Sequence, residues 1–86
     1  MKFELVTPEK LFASLEDVAH VYAAGEAGDF GVLPGHMPLI ATLREGGEVR
    51  VQDATGKETA YTVHGGFVEV TPASVTVLAE RANVVN

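Results

Sequence analysis

Apolar and polar positions alternate with a period of two through most of this chain, and a sustained helical period is nearly absent. "KFELVT" sets Phe3, Leu5 and Thr7 against Lys2, Glu4 and Val6, and "EVRVQ" sets Val49 and Val51 against Glu48, Arg50 and Gln52. Such alternation puts one set of side chains on each face of a strand. "ETAYTVHG", "FVEVT" and "SVTVLAE" read as further short strands, separated by Gly65-Gly66 and Pro72-Ala73. "DATGKE" before them is a turn, because Asp53 can bond the backbone ahead of it and Gly56 tolerates unusual φ. Leu11 to Ala23 reads as two strands, or as one long strand kinked near Glu16 and Asp17. The same region, "PEKLFASLEDVAHVYAA", also admits an amphipathic helix capped by Thr7 with Pro8 at its first position. The pattern as a whole predicts an all-β fold, a β-sandwich or closed barrel, in one domain over 1–86.

Composition changes this picture in a few respects. A chain of 86 residues supports one thin core, and with no cysteine neither disulfides nor thiolate–metal bonds reinforce it. The 47% apolar content must do that work. The net charge of −6, with Lys2, Lys10, Arg44, Arg50, Lys57 and Arg81 scattered singly, argues against nucleic acid and against a direct grip on anionic lipid. No apolar run approaches the ~20 residues that span a bilayer, and no leader pattern precedes the first strand. The expectation is a soluble, cytoplasmic chain.

Candidate chemistry is sparse. Gly25, Gly28 and Gly31 recur every third residue, which is not the spacing of a dinucleotide fingerprint, and no helix follows. Gly56-Lys57 lacks the hydroxyl residue and the first glycine of a P-loop. His20, His36 and His64 have no second ligand at helical or strand spacing, so a metal site would have to be assembled from distant strands. Neither Ser14 nor Ser74 lies in a nucleophile elbow, and Ala54 breaks a possible aspartic-protease motif. Glu16 and Asp17 are sequence neighbours, which a strand sends to opposite faces. The expectation is a non-enzymatic chain with no metal and no cofactor.

What remains is "GEAGDFGVLPGHMPLI", Gly25 to Ile40. Pro34 and Pro38 fix φ while Gly28, Gly31 and Gly35 permit unusual φ, so this loop is expected to be stiff and oddly shaped. Gly65 and Gly66 shape a second turn. Phe30, Leu33, Met37 and Leu39 look exposed, which makes the loop either a docking surface or the plug of one end of the core.

"GDFGVLPGHMPLIATLREGGEVRV", "VHGGFVEV" and "SVTVLAERA", in that order, resemble the epsilon subunit of F-type ATP synthases, called delta in mitochondria. Gly28 to Pro38 meets its G-[DE]-x-G-x-x-P-G-H-x-P core, and the resemblance runs over essentially the whole chain. It implies a flattened β-sandwich of about ten short strands in two sheets. It implies a non-catalytic rotor subunit of the central stalk, held between the gamma subunit and the c-ring on the cytoplasmic face of a bacterial inner membrane. By resemblance, Asp29 and Phe30 would face the c-ring, and His36, Pro38, Leu39, Ile40 and Ala41 would face gamma. Exposed rim ion pairs in general contribute about 0–1 kcal/mol each, which leaves most of such a grip to apolar neighbours. Typical bacterial members of the family continue past the "VLAERA" strand into a two-helix inhibitory domain, whereas the sequence here runs to Asn86, so none of these residues is expected to carry that domain's role. An adaptor that docks some other protein through the same loop is the alternative, and a hydrolase built on the three histidines is a third class.

Overall fold

The computed structural model describes residues 1–85. Ten strands follow one another: β1 (Lys2–Thr7), β2 (Lys10–Leu15), β3 (Val18–Ala23), β4 (Phe30–Val32), β5 (Leu39–Thr42), β6 (Gly47–Asp53), β7 (Glu58–His64), β8 (Phe67–Thr71), β9 (Ser74–Leu78) and β10 (Arg81–Val84). They form two five-stranded sheets, ordered β2-β1-β9-β8-β5 and β10-β7-β6-β3-β4. All pairings are antiparallel except β1 with β9, where Phe3 faces Val75 and Leu5 faces Val77.

The period-two reading of the sequence becomes the interior of a sandwich. Phe3, Leu5, Val68, Val70, Val75 and Val77 of the first sheet meet Val21, Val32, Val49, Val51, Tyr61 and Val63 of the second. Apart from Phe3 and Leu5, the largest fully buried side chains are all valines. Branching at Cβ suits them to extended backbone, where they fill a layer without the rotamer freedom that longer chains lose on burial. Phe3 and Tyr61 lie nearly parallel across the core with ring centroids 6.1 Å apart, and Phe12 meets Tyr61 edge-on at 6.2 Å. Burial of the Tyr61 phenol raises its pKa.

The helix that Pro8 to Ala24 admitted does not form. Thr7 bonds the Lys10 carbonyl through Oγ1 and closes a hairpin between β1 and β2. A bulge opposite Leu5 and Val6 leaves Phe12 unpaired and turns it towards Tyr61, and such packing outweighs local helix propensity. Leu11 to Ala23 is two strands, broken where Asp17 takes φ 54°, the one non-glycine residue described with positive φ. The Asp53 turn is as expected: its Oδ1 accepts from the Thr55 and Lys57 amides at 2.9 and 3.0 Å and from the Thr55 hydroxyl at 2.6 Å. The Thr55 hydroxyl, with the two amides, holds the Asp53 carboxyl below the usual carboxylate range.

Candidate functional site: the connection between the two sheet edges

The chain from Gly25 to Ile40 carries the strand sequence from one sheet to the other, because β4 is the edge of one and β5 the edge of the other. Both edges lie on the same side of the sandwich. A groove of about 570 Å³ opens there, lined by Gly25 to Phe30 on one wall and Leu39 to Thr42 on the other.

A cluster of polar side chains pins the first half of the connection. Asp29 accepts from the Tyr22 hydroxyl at 2.6 Å and from Arg44 Nη1 at 2.8 Å, and the same Arg44 nitrogen reaches the Gly25 carbonyl at 3.3 Å. Arg50 lies over the Tyr22 ring, 4.5 Å from its centroid. The Tyr22 hydrogen bond, with Arg44, holds the Asp29 carboxyl below the usual carboxylate range, while the same hydrogen bond raises the Tyr22 phenol. Asp29 is therefore already engaged within the fold at both carboxylate oxygens. It ties β3 and the Arg44 turn to the loop, and only the side of it turned to solvent is left for a partner. The sequence singled out Asp29 but not Tyr22, Arg44 or Arg50; the pairing spans 15 residues and had no local signal.

The second half presents apolar side chains outwards. Leu33, Met37 and Ile40 are 60, 78 and 68% exposed. Phe30 and Leu39 looked exposed in the sequence, but both are half-buried against the core, and so is Ala41. The alternation of β5 explains this: Leu39 and Ala41 point inwards while Ile40 points out. Among the five residues expected to face gamma, Pro38 and Ile40 are the exposed ones. His36 donates from Nδ1 to the Met37 carbonyl at 2.7 Å, fixing its own loop.

The glycines act by two different means. Gly28, Gly35 and Gly65 take positive φ, whereas Gly31 and Gly66 do not. Gly31 is a residue of β4, and a Cβ there would lie 2.8 Å from His20 Nε2, so its role is to admit the His20 ring rather than to bend the chain. Gly66 likewise gives room, with a Cβ falling 2.9 Å from the Leu78 carbonyl.

The histidines do not converge. Among the described residues no group of three or more His, Asp or Glu side chains lies close enough to hold a metal. His64 instead donates from Nδ1 to Glu45 at 2.7 Å, and the other Glu45 oxygen accepts from the Gly65 amide at 2.9 Å. The His64 bond, followed by that of Gly65, lowers the Glu45 pKa, and the pair latches the Arg44–Gly47 turn to the β7–β8 turn.

The sequence reading also passed over a row on the outer face of the first sheet. Register aligns Leu11 with Val6, Val6 with Leu78, and Leu78 with Phe67. These apolar residues occupy positions that strand alternation assigns to solvent, and a groove of about 280 Å³ runs between Val6, Phe67 and Leu78. The signal was available: Val6 and Leu78 are apolar where their strands are otherwise polar.

Comparison with known proteins identifies the architecture. The family model described as "ATP synthase, Delta/Epsilon chain, beta-sandwich domain" matches residues 1–84. The ATP synthase epsilon chain of Maricaulis maris is 49% identical over 83 residues, covering 95% of this chain and 59% of that one. The epsilon chain of Desulfatibacillum aliphaticivorans is 52% identical over 79 residues, covering 92% and 55%. The chain thus spans under two thirds of the length of these relatives. A chain in the cryo-EM structure of the Euglena gracilis mitochondrial ATP synthase, OSCP/F1/c-ring, superposes with a TM-score of 0.87 at 26% identity, covering 95% of this chain and 51% of that one. A chain from the Tetrahymena thermophila central stalk/c-ring structure shares the fold at TM-score 0.77 and 15% identity, covering 96% and 65%. Ten strands in two sheets, the Gly28–Pro38 motif and this match over residues 1–84 lead to one assignment: the chain belongs to the β-sandwich domain family of the ATP synthase delta/epsilon chains.

Proposed function

We propose that this β-sandwich is a coupling piece of the rotor of a bacterial F-type ATP synthase, seated between the gamma subunit and the c-ring and catalysing nothing itself. The observation that carries the reading is the Gly25–Ile40 connection of a delta/epsilon-type sandwich: internally stapled at Asp29, yet exposing Leu33, Met37 and Ile40. A stapled backbone loses little entropy on binding, and apolar side chains ringed by polar ones are what central contacts of an interface use. His36, Pro38, Leu39, Ile40 and Ala41 belong to the gamma-facing side, with Pro38 and Ile40 making contact and Leu39 and Ala41 supporting them from the core. Asp29 and Phe30 belong to the c-ring side, where the Asp29–Arg44 pair presents both signs of charge to polar ring loops. The location that follows is peripheral, on the cytoplasmic face of the membrane holding the ring. No described helix is long and apolar enough to cross a membrane.

The test is reconstitution of gamma and the c-ring with and without this chain. The expected result is that the chain restores attachment of gamma to the ring and with it proton-coupled synthesis. Unchanged attachment and coupling without it would overturn the reading.

A further inference from the structure

The β5 edge offers more than apolar side chains. The Leu43 amide donates to the Gly66 carbonyl at 2.9 Å, and register pairs Ala41 with Val68 and Leu39 with Val70. Antiparallel strands alternate hydrogen-bonded and non-hydrogen-bonded pairs. Leu39, Ala41 and Leu43 therefore turn their backbone groups to β8, and Ile40 turns its N–H and C=O to the opposite edge, where the sheet ends. Further along, the Thr42 carbonyl is taken by the Glu26 amide at 2.9 Å, so the segment at Glu26 closes the edge beyond Thr42 and leaves it open at Ile40. Directly beside that open stretch lies the groove between the sheets, with Phe30 on one wall and Leu39 and Ala41 on the other.

We infer that β5 receives an extended segment of the gamma subunit as an added strand, pairing with the Ile40 N–H and C=O; this rests on the gamma-facing reading above. The occupant's chemistry follows from the site. Alternate side chains of an added strand enter the groove over Phe30 and Leu39, and these are apolar. The intervening ones emerge on the outer face beside Ile40, whose cross-strand neighbour is the exposed Glu69, while the exposed Glu26 stands on the groove wall. Among the described residues neither carboxylate has a basic partner within 4.0 Å. The segment is therefore one that alternates apolar residues with Lys or Arg, a complement to an acidic edge.

An edge amide that donates to nothing among the described residues can be deleted without touching the fold. Ile40→Pro removes that N–H and is tolerated on an edge strand, whereas Ala41→Pro removes a ladder donor to β8. The experiment measures gamma binding by the whole chain, amide hydrogen exchange at Ile40 with and without gamma, and the Tm of both variants. Expected are slowed Ile40 exchange in the complex, a loss of about tenfold or more in gamma affinity for Ile40→Pro with Tm near wild type, and a clear fall in Tm for Ala41→Pro. Gamma binding that leaves the Ile40 amide exchanging as freely as before, or an Ile40→Pro chain that binds gamma as tightly as wild type, overturns the added strand and leaves the gamma-facing reading standing. A wild-type chain that fails to bind gamma overturns both.

Discussion

Two connections in this sandwich solve the same problem and end differently. The Asp53–Lys57 turn satisfies itself: one carboxylate oxygen holds two backbone amides and a hydroxyl, and the residues left on the surface are small or polar. The Gly25–Ile40 connection also uses an aspartate, but Asp29 bonds side chains from β3 and from the turn after β5, so it anchors the loop to the body of the fold. Beyond that anchor the chain exposes Leu33, Met37 and Ile40, which nothing among the described residues covers. The first connection is complete within its own residues. The second is anchored at its base, packs Phe30 and Leu39 against the core, and is apolar at its exposed tip, the combination on which the proposed docking role rests.

Substitutions can break this contrast. The largest effect is expected from paired charges at the tip: Met37→Glu with Ile40→Glu should weaken gamma binding by about 2 kcal/mol or more, roughly thirtyfold, while Tm stays near wild type. The matching change on the closed turn, Thr55→Glu, should leave gamma binding unchanged. Calorimetric titration reads both, and equal losses would mean that the tip is not special.

Next in size is Gly65→Ala. Its φ of +62° and a Cβ falling 2.8 Å from Glu80 Cγ should cost about 1–2 kcal/mol in denaturant unfolding. Gly35→Ala, with φ +86° and open space around it, should cost about 1 kcal/mol or less.

Smaller again is the loss of the anchor. Asp29→Asn should raise amide exchange across Gly25 to Gly31 with only a slight fall in Tm, since the pair is solvent-exposed. Asp53→Asn should confine its effect to its own turn.

The smallest effect is a pH dependence. Asp29, Glu45 and Asp53 are held below their ordinary values in the folded chain, so the unfolded chain binds more protons across that window. Their stabilisation is complete above the unfolded carboxylate range of about 4 and is lost as pH falls through the lower folded values. Asp29→Asn should therefore flatten the acid limb of a Tm–pH curve, and an unaltered limb would show that its hydrogen bonds carry no linkage.

Much of this was legible in the sequence, for reasons that can be named. Alternation in "KFELVT" and "EVRVQ" reports burial directly, because a strand in a sandwich has one wet face, and the strands it predicted are those found. Turn residues act locally, so the Asp53 turn and the Gly65 bend could be read from a few neighbours. The two strands of Leu11 to Ala23, broken at Asp17, are also those found, and Phe12 packing on Tyr61, 49 residues away, holds that region against the helix it also admits. The failures involve non-local contacts. Leu39, which looked exposed, turns inwards because register with β8 decides which face of β5 it takes. Gly31 serves His20 on a neighbouring strand, a use that its own surroundings in sequence do not reveal. The Tyr22–Asp29–Arg44 cluster needs three segments brought together before any of it has a partner.

In the proposed rotor role, the tip of the Gly25–Ile40 connection, and not the closed turns or the polar outer face of the second sheet, meets the neighbouring subunit. Titrating an isotopically labelled chain with unlabelled gamma and following every amide by NMR tests it most directly. The expected result is that the signals of Leu33, Met37 and Ile40 shift or broaden first, while those of Thr55 and Gly56 stay where they are. Shifts confined to the Asp53–Lys57 turn or to Glu48, Arg50 and Thr62, with the tip silent, would contradict it.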